Sequence, residues 1–250
     1  MFSFYKKKLI TPLEVKVLKV DLHSHLIPGI DDGSQDIDDS VEILQSLALL
    51  GYEKVITTPH IMLDAYGNTK ASILKAYSEL KEEARNRGID MEIDIACEYY
   101  LDEGFLPLIH KDELLTIDNK YLLFETSYSH RPQELETVIF EILSAGYVPL
   151  LAHPERYRYI KQPKDEYATL KNLGVEFQVN INSFNGYYGS SAKENAMFLS
   201  KNGMIDFLGS DTHNIKQVEN LAVVTKHQVY ADIFTNNTIK NDILLSKIDI

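Results

Sequence analysis

Seven short runs rich in apolar and β-branched residues recur along the chain: VKVLKVDLH, EKVITTPH, MEIDIACE, YLLFETS, YVPLLAHP, VEFQVNIN and IDFLGSDTH. Their length and composition read as strands. Segments with helical spacing separate them, such as Ile37, Val41, Leu44, Leu47 and Ala48, or Leu135, Val138, Ile139, Ile142 and Leu143. Several of these end near Gly51, Gly88, Gly146, Gly174 or Gly203. The order is strand then helix throughout, which implies an α/β fold with a largely parallel sheet under covering helices. About seven such units in 250 residues suit a distorted TIM-like barrel, with a doubly wound open sheet as the alternative. No Gly/Ser linker, low-complexity tract or internal repeat divides the chain, so residues 15–250 read as one domain behind a leader of residues 1–14. The tail from about Tyr230 to Ile250 is expected to form a last helix.

The polar residues at the ends of these runs carry the chemistry. His23 and His25 follow the first run, His60 the second, Glu98 the third; Glu125 lies at the end of the fourth, His153 after the fifth, Asp211 and His213 after the last. In parallel α/β folds the carboxyl ends of the strands converge on one face, so residues distant in sequence meet there. Any one of them alone reads as a satisfied core histidine or a helix-capping aspartate. Eight such residues at the ends of six runs do not. Imidazoles mixed with carboxylates suit Zn²⁺, Mn²⁺ or Fe²⁺, and the inventory exceeds what one ion needs. Two or three divalent ions with a bridging carboxylate are expected. Side chains two apart on an extended strand share a face, so His23 and His25 read as a chelate, and Asp31 and Asp32 lie in a loop returning over the ions.

Such clusters acidify water for hydrolysis. In AHPERYRYI, Arg156 stands three residues past His153, with Arg158 close by. A guanidinium beside several ions suits a transferring phosphoryl group, which ranks phosphoester hydrolysis above amide or deaminase chemistry; the competing view pairs Arg156 with Glu155 on a helix surface. A cysteine-dependent phosphatase is excluded, because the only cysteine, Cys97, is followed six residues later by Glu103 and not by arginine. Cys97 reads as a small core residue, and one cysteine permits no intrachain disulfide, which points to a reducing cytoplasm. The net charge of −12, with no basic block beyond Lys6 to Lys8, argues against nucleic acid as a partner. No apolar stretch in the first twenty residues is long enough for a signal peptide or membrane span, so a soluble cytoplasmic protein is expected.

HSH, TPH, HPERY and SDTH, each following a strand and in this order, resemble the polymerase and histidinol phosphatase (PHP) superfamily. PGIDDG after HSH, with TPHI and HPERY, resembles in particular its bacterial CpsB/CapC-type protein-tyrosine phosphatases, from about Val20 to His213. The resemblance implies a distorted (β/α)7 barrel with its site at the carboxyl ends of the strands and three divalent ions, often Mn²⁺. It assigns His23, His25, Glu98 and Asp211 to the first ion, Glu98, Glu125 and His153 to the second, and Asp32, His60 and His213 to the third, with Asp31 competing for the place of Asp32. Arg156, Asp32 and His213 are the residues implied to act on the reacting group. The implied substrate is phosphotyrosine on the tail of a bacterial autokinase controlling capsule or exopolysaccharide export, with membrane contact only through that kinase. A small phosphoester such as histidinol phosphate is the alternative. An arginine usual after the DxH motif is missing; Lys216 is the candidate to replace it, or its place is unfilled. His130 reads as a structural or surface residue, with a place for it and Arg131 at the substrate entrance as the lesser alternative, while Tyr157, Tyr159, Tyr187 and Tyr188 are expected mostly to pack.

Overall fold

The computed structural model describes residues 18–111 and 113–245; the leader, residues 1–14, lies outside them. The seven runs form nine strands: β1 (Val20–Asp21), β2 (Lys54–Thr57), β3 (His60–Ile61), β4 (Glu92–Ile95), β5 (Glu98–Tyr100), β6 (Tyr121–Glu125), β7 (Val148–Ala152), β8 (Glu176–Asn180) and β9 (Phe207–Gly209). Two runs are broken in the middle. Pro59 has no N–H to donate and interrupts the second run between β2 and β3; the neighbouring third run breaks alongside it, between β4 and β5. The bonds Ala96 N to Thr57 O (3.0 Å) and Glu98 N to Pro59 O (3.1 Å) keep the two broken runs side by side.

Every strand pair is parallel, in the orders β1-β2-β4 and β3-β5-β6-β7-β8-β9. Because β2 runs on into β3 and β4 into β5, the seven runs stand side by side in chain order, as a barrel requires and a doubly wound sheet does not. The last run returns to the first: Ser24 and Thr212 form a parallel bridge, Asp211 N donates to His23 O (2.8 Å) and His25 N to Thr212 O (2.9 Å).

Among the described residues, eight α-helices connect or follow the runs: α1 (Ile37–Leu49), α2 (Lys70–Asn86), α3 (Phe105–His110), α4 (Leu135–Ser144), α5 (Pro163–Asn172), α6 (Ser190–Lys201), α7 (Ile215–Val224) and α8 (Gln228–Asn236). Asp36 starts α1 by accepting from Asp38 N and Asp39 N, and Thr69 forms a capping box with Ser72 at α2. Gly88 after α2 and Gly174 after α5 take φ of 70° and 88°, the left-handed region that ends a helix without a Cβ penalty. Two apolar cores result. One, with Val20, Leu22, Ile56, Leu123, Leu150 and Phe207, fills the barrel, and the larger one lies between strands and helices.

The tail departs from expectation. Instead of one helix from Tyr230, α8 stops at Asn236 and a 3-10 turn follows at Asn241–Leu244; residues 246–250 lie outside the described residues. Asn237 accounts for the stop, because its side chain donates to Ile233 O and Ser200 O and accepts from Ile205 N. Asn241 then closes the amino end of the barrel. Its amide donates to Val20 O (2.9 Å) and Leu208 O (2.6 Å) and accepts from Leu208 N (2.9 Å).

Candidate metal centre

Strand alternation decides which side chains enter the site. In β6, Tyr121 and Leu123 point into the barrel, so Glu125 follows on the same face, whereas Leu122 and Phe124 join the outer core. In β8, Phe177 and Val179 belong to the outer core, which leaves Gln178 and Asn180 inside. His153 and Asp211 adopt left-handed φ of 33° and 51° at the ends of β7 and β9. Such backbone costs roughly 1–3 kcal/mol per residue and is held only by its surroundings.

All nine expected ligands meet at the carboxyl end of the barrel. Glu98 stands at the centre with its two oxygens turned apart: Oε2 lies 3.1 Å from His23 Nε2 and 3.2 Å from His25 Nε2, Oε1 2.9 Å from His153 Nε2. Asp211 Oδ1 lies 3.5 Å from both His23 and His25 Nε2, completing one group. Glu125 Oε2, 3.8 Å from His153 Nε2, completes a second. Asp32 Oδ1 is 3.5 Å from His60 Nε2 and from His213 Nε2, a third group at the open mouth. His25 also comes within reach of this third group, and His60 within reach of Glu98 and Glu125.

The tautomers fix where the lone pairs point. His23 Nδ1 donates to Gln178 Oε1 (2.7 Å), His25 Nδ1 to Asp31 Oδ2 (2.9 Å) and His213 Nδ1 to Asp211 O (3.0 Å). All three partners accept, so in the neutral form of each ring Nε2 turns its lone pair toward the carboxylates. Acceptors facing acceptors in a buried space call for a cation. Electrostatics agree: burial together with Glu98 and Asp211 pushes the Glu125 carboxyl well above the usual range. Burial works to raise Glu98 and Asp211 too, but nearby positive charge, from the imidazoles in their protonated form and for Asp211 also from Arg156, outweighs it and holds both low. The donor set therefore fits divalent ions, with Glu98 shaped to bridge two of them.

Asp31 and Asp32 divide their work. Asp31 is turned inward, accepting from His25 Nδ1 and from His60 N (3.1 Å), and thus orients ligands; Asp32, 55% exposed, faces the third group. Arg156 does not pair with Glu155. Its Nη1 donates to Asp211 Oδ2 (2.6 Å), and its guanidinium lies between the rings of Tyr188 (4.2 Å) and Tyr128 (4.7 Å). A cavity of about 430 Å³ above the carboxylates is lined by Arg156, both tyrosines, Tyr66 and Met62.

Three minor candidates lie elsewhere. Lys216 is exposed and does not line this cavity; its neighbour Gln217 does, accepting from His213 N (2.7 Å) and donating to Asp211 O (3.1 Å), because α7 turns that face inward. His130 is exposed and Arg131 is engaged by Glu136, both away from the cavity lining. Tyr157 and Tyr159 pack on one another as expected, whereas Tyr188 covers Arg156. Cys97 is fully buried, and burial pushes its thiol up. Gln178 and Asn180, which orient His23 and Asp211, escape a search for charged residues; the alternation of VEFQVNIN was their signal.

Comparison with known proteins extends over most of the molecule. The family model for capsular polysaccharide synthesis, CpsB/CapC, matches residues 19–240. The chain belongs to the CpsB/CapC family. Relatives of this CpsB/CapC chain include the tyrosine-protein phosphatase YwqE of Bacillus subtilis, 30% identical over 79% of this chain and 78% of that one. Another is the tyrosine-protein phosphatase CpsB of Streptococcus agalactiae, 26% identical over 78% and 83%. The crystal structures of YwqE and of CpsB from Streptococcus pneumoniae, described as unique metal-dependent tyrosine phosphatases, supply a match at TM-score 0.76 and 26% identity, covering 88% of this chain and 96% of that one. An inactive dihydroorotase-like domain from Chaetomium thermophilum, 12% identical, shares the fold alone, with a TM-score of 0.55 over 89% and 77%.

Proposed function

We propose that this chain is a metal-dependent protein-tyrosine phosphatase, acting on phosphotyrosine in the tail of a bacterial autokinase that serves capsule or exopolysaccharide production on the cytoplasmic side. The observation that carries it is Glu98, whose two oxygens face separate imidazole groups in the same cavity as a half-buried Arg156. The names of the relatives support the tyrosyl substrate, and the family description supports the capsule role. His23, His25, Glu98 and Asp211, then Glu98, Glu125 and His153, then Asp32, His60 and His213 would hold two or three ions, Mn²⁺ by preference, with Fe²⁺ or Zn²⁺ as substitutes. Bound divalent ions supply Lewis-acid activation of water and charge for the phosphoryl oxygens.

The chain's own residues do the rest. Arg156, held flat between Tyr128 and Tyr188, presents a planar fork to two non-bridging oxygens of the phosphoryl group. Asp32 and His213 stand at the mouth, where the phosphoryl group enters. Tyrosine departs as a phenolate with a pKa of about 10, so no general acid is required. Among the described residues no helix is long and apolar enough to cross a membrane, in keeping with contact through a membrane-associated partner.

Phosphate release from a phosphotyrosyl peptide, with Mn²⁺ or chelator, tests this reading, with phosphoseryl peptide and histidinol phosphate in parallel. Manganese-dependent, tyrosine-selective release is expected, and His153→Ala or Asp211→Ala should abolish it in a folded protein. Activity on histidinol phosphate alone would overturn the substrate, and near-normal rates in either variant would overturn the ligand assignment.

A further inference from the structure

Resting on that reading, we infer that an apolar groove beside the candidate site is a subsite for the phosphoprotein substrate, taking an apolar side chain two to four residues from its phosphotyrosine. The groove, about 320 Å³, runs between the segment after β3 and the start of α3, with walls from Ile61, Leu63, Tyr66, Tyr100, Phe105 and Leu108. Met62 and Tyr66 line both this groove and the metal-site cavity, so the two spaces are separated by one layer of side chains. Tyr66 stacks on the His60 ring at 5.6 Å, which fixes the divide. The walls are tied together before any ligand arrives. Asp102 accepts from Leu63 N (2.8 Å) on one wall and from Gly104 N (2.9 Å) on the other, and Asn68 donates to Ile30 O and His60 O. Leu63 nonetheless stays 57% exposed at the rim.

Continuity decides the occupant. A chain whose phosphotyrosine reaches the carboxylates must continue past the mouth, and an extended segment advances about 3.3 Å per residue with alternate side chains on one face. Crossing the Met62–Tyr66 divide, one side-chain layer of roughly 7–10 Å, therefore takes two or three residues, and one more reaches the far wall of the groove. The groove offers mainly apolar surface there, which matches a leucine, isoleucine or phenylalanine and not a charged residue.

The test compares kcat/KM on a set of phosphotyrosyl peptides, leucine or aspartate being placed at each position from two to four on either side, with that on p-nitrophenyl phosphate, which has no flanking residues. Leucine at one of these positions should raise kcat/KM about tenfold over aspartate. Leu63→Asp should erase that preference while leaving p-nitrophenyl phosphate turnover unchanged, and Leu63→Met should keep it. Equal rates for all peptides, or a preference that survives Leu63→Asp, would overturn the subsite. Failure of the wild-type protein on p-nitrophenyl phosphate and every peptide would instead overturn the phosphatase reading on which it rests.

Discussion

Gly33→Ala would strike the proposed metal centre from outside its proposed ligand set. A Cβ at Gly33 would lie 2.1 Å from His25 O and 2.5 Å from His25 Cβ, and both neighbours are rigid backbone or the base of a ligand. Ordinary contact needs at least about 3 Å, so the loop or His25 must retreat by about 1 Å. Two bonds span that gap: Ser34 N to His25 O (3.0 Å) and His25 Nδ1 to Asp31 Oδ2 (2.9 Å). Losing them costs about 2–4 kcal/mol, because one acceptor is a carboxylate. In a chain of this size that corresponds to a fall in Tm of roughly 4–16 °C. Freeing the Nδ1 side of a ligating imidazole should also weaken Mn²⁺ binding about 10–100-fold. Calorimetric titration of Mn²⁺ into chelator-treated protein and thermal melts read both effects. Gly67→Ala is the control, since nothing lies within 4 Å of its added methyl. A folded Gly33→Ala protein with wild-type Mn²⁺ affinity would refute the idea that the DDG turn sets the His25 ligand.

The ring pair around Arg156 gives a second test: Tyr188→Phe should hold peptide kcat/KM within about threefold, while Tyr188→Leu should lose about tenfold or more, as a desolvated cation–π contact predicts. Equal losses in both variants would show that the hydroxyl, bonded to Gln217, matters instead. Asn241→Ala would leave Leu208 N and two carbonyls unpaired at the far end of the barrel; a loss of about 3–5 kcal/mol, or roughly 6–20 °C in Tm, is expected with Mn²⁺ affinity unchanged at low temperature. A melt within 2 °C of wild type, measured by circular dichroism, would contradict it. At high pH, Lys240 becomes informative, since burial would lower its pKa but its bonds to Glu176 and Asp206 raise it. With the folded value above the unfolded one, its contribution is full below about pH 10.5 and is lost as pH climbs through the folded pKa. Lys240→Met should therefore flatten the alkaline end of a Tm-against-pH curve, and an unaltered slope would rule the pair out as its cause.

How far the sequence could be read depended on whether a residue acts locally or through the ring. The strand runs were visible because each carries its own apolar pattern, and the ligands were visible because they sit at the ends of those runs. Where both runs break, the sequence held one hint, Pro59, and nothing to tell that MEIDIACE would break beside it. Asp31 and Asp32 were indistinguishable as letters; only the return of the loop over His25 turns one inward and the other to the mouth. Lys216 and Gln217 differ by one helical step, and charge pointed to the wrong one because helix phase near a loop is set by packing. Gln178 and Asn180 carry no charge and enter the site purely by parity within β8.

The bond between Asp21 and Ser210, 189 positions apart, has a consequence for how the protein comes into being. The first strand finds its last partner only after nearly the whole chain has been made, and closing so long a loop is a late event in folding. Until β9 arrives, His23 and His25 lack Asp211, and the orienting bonds to Gln178 and Asp31 have no finished frame. A nascent or truncated chain thus presents isolated histidines but no complete ion site. On the proposed ligand set, ion binding therefore requires the closed ring, and the site is completed only when β9 docks.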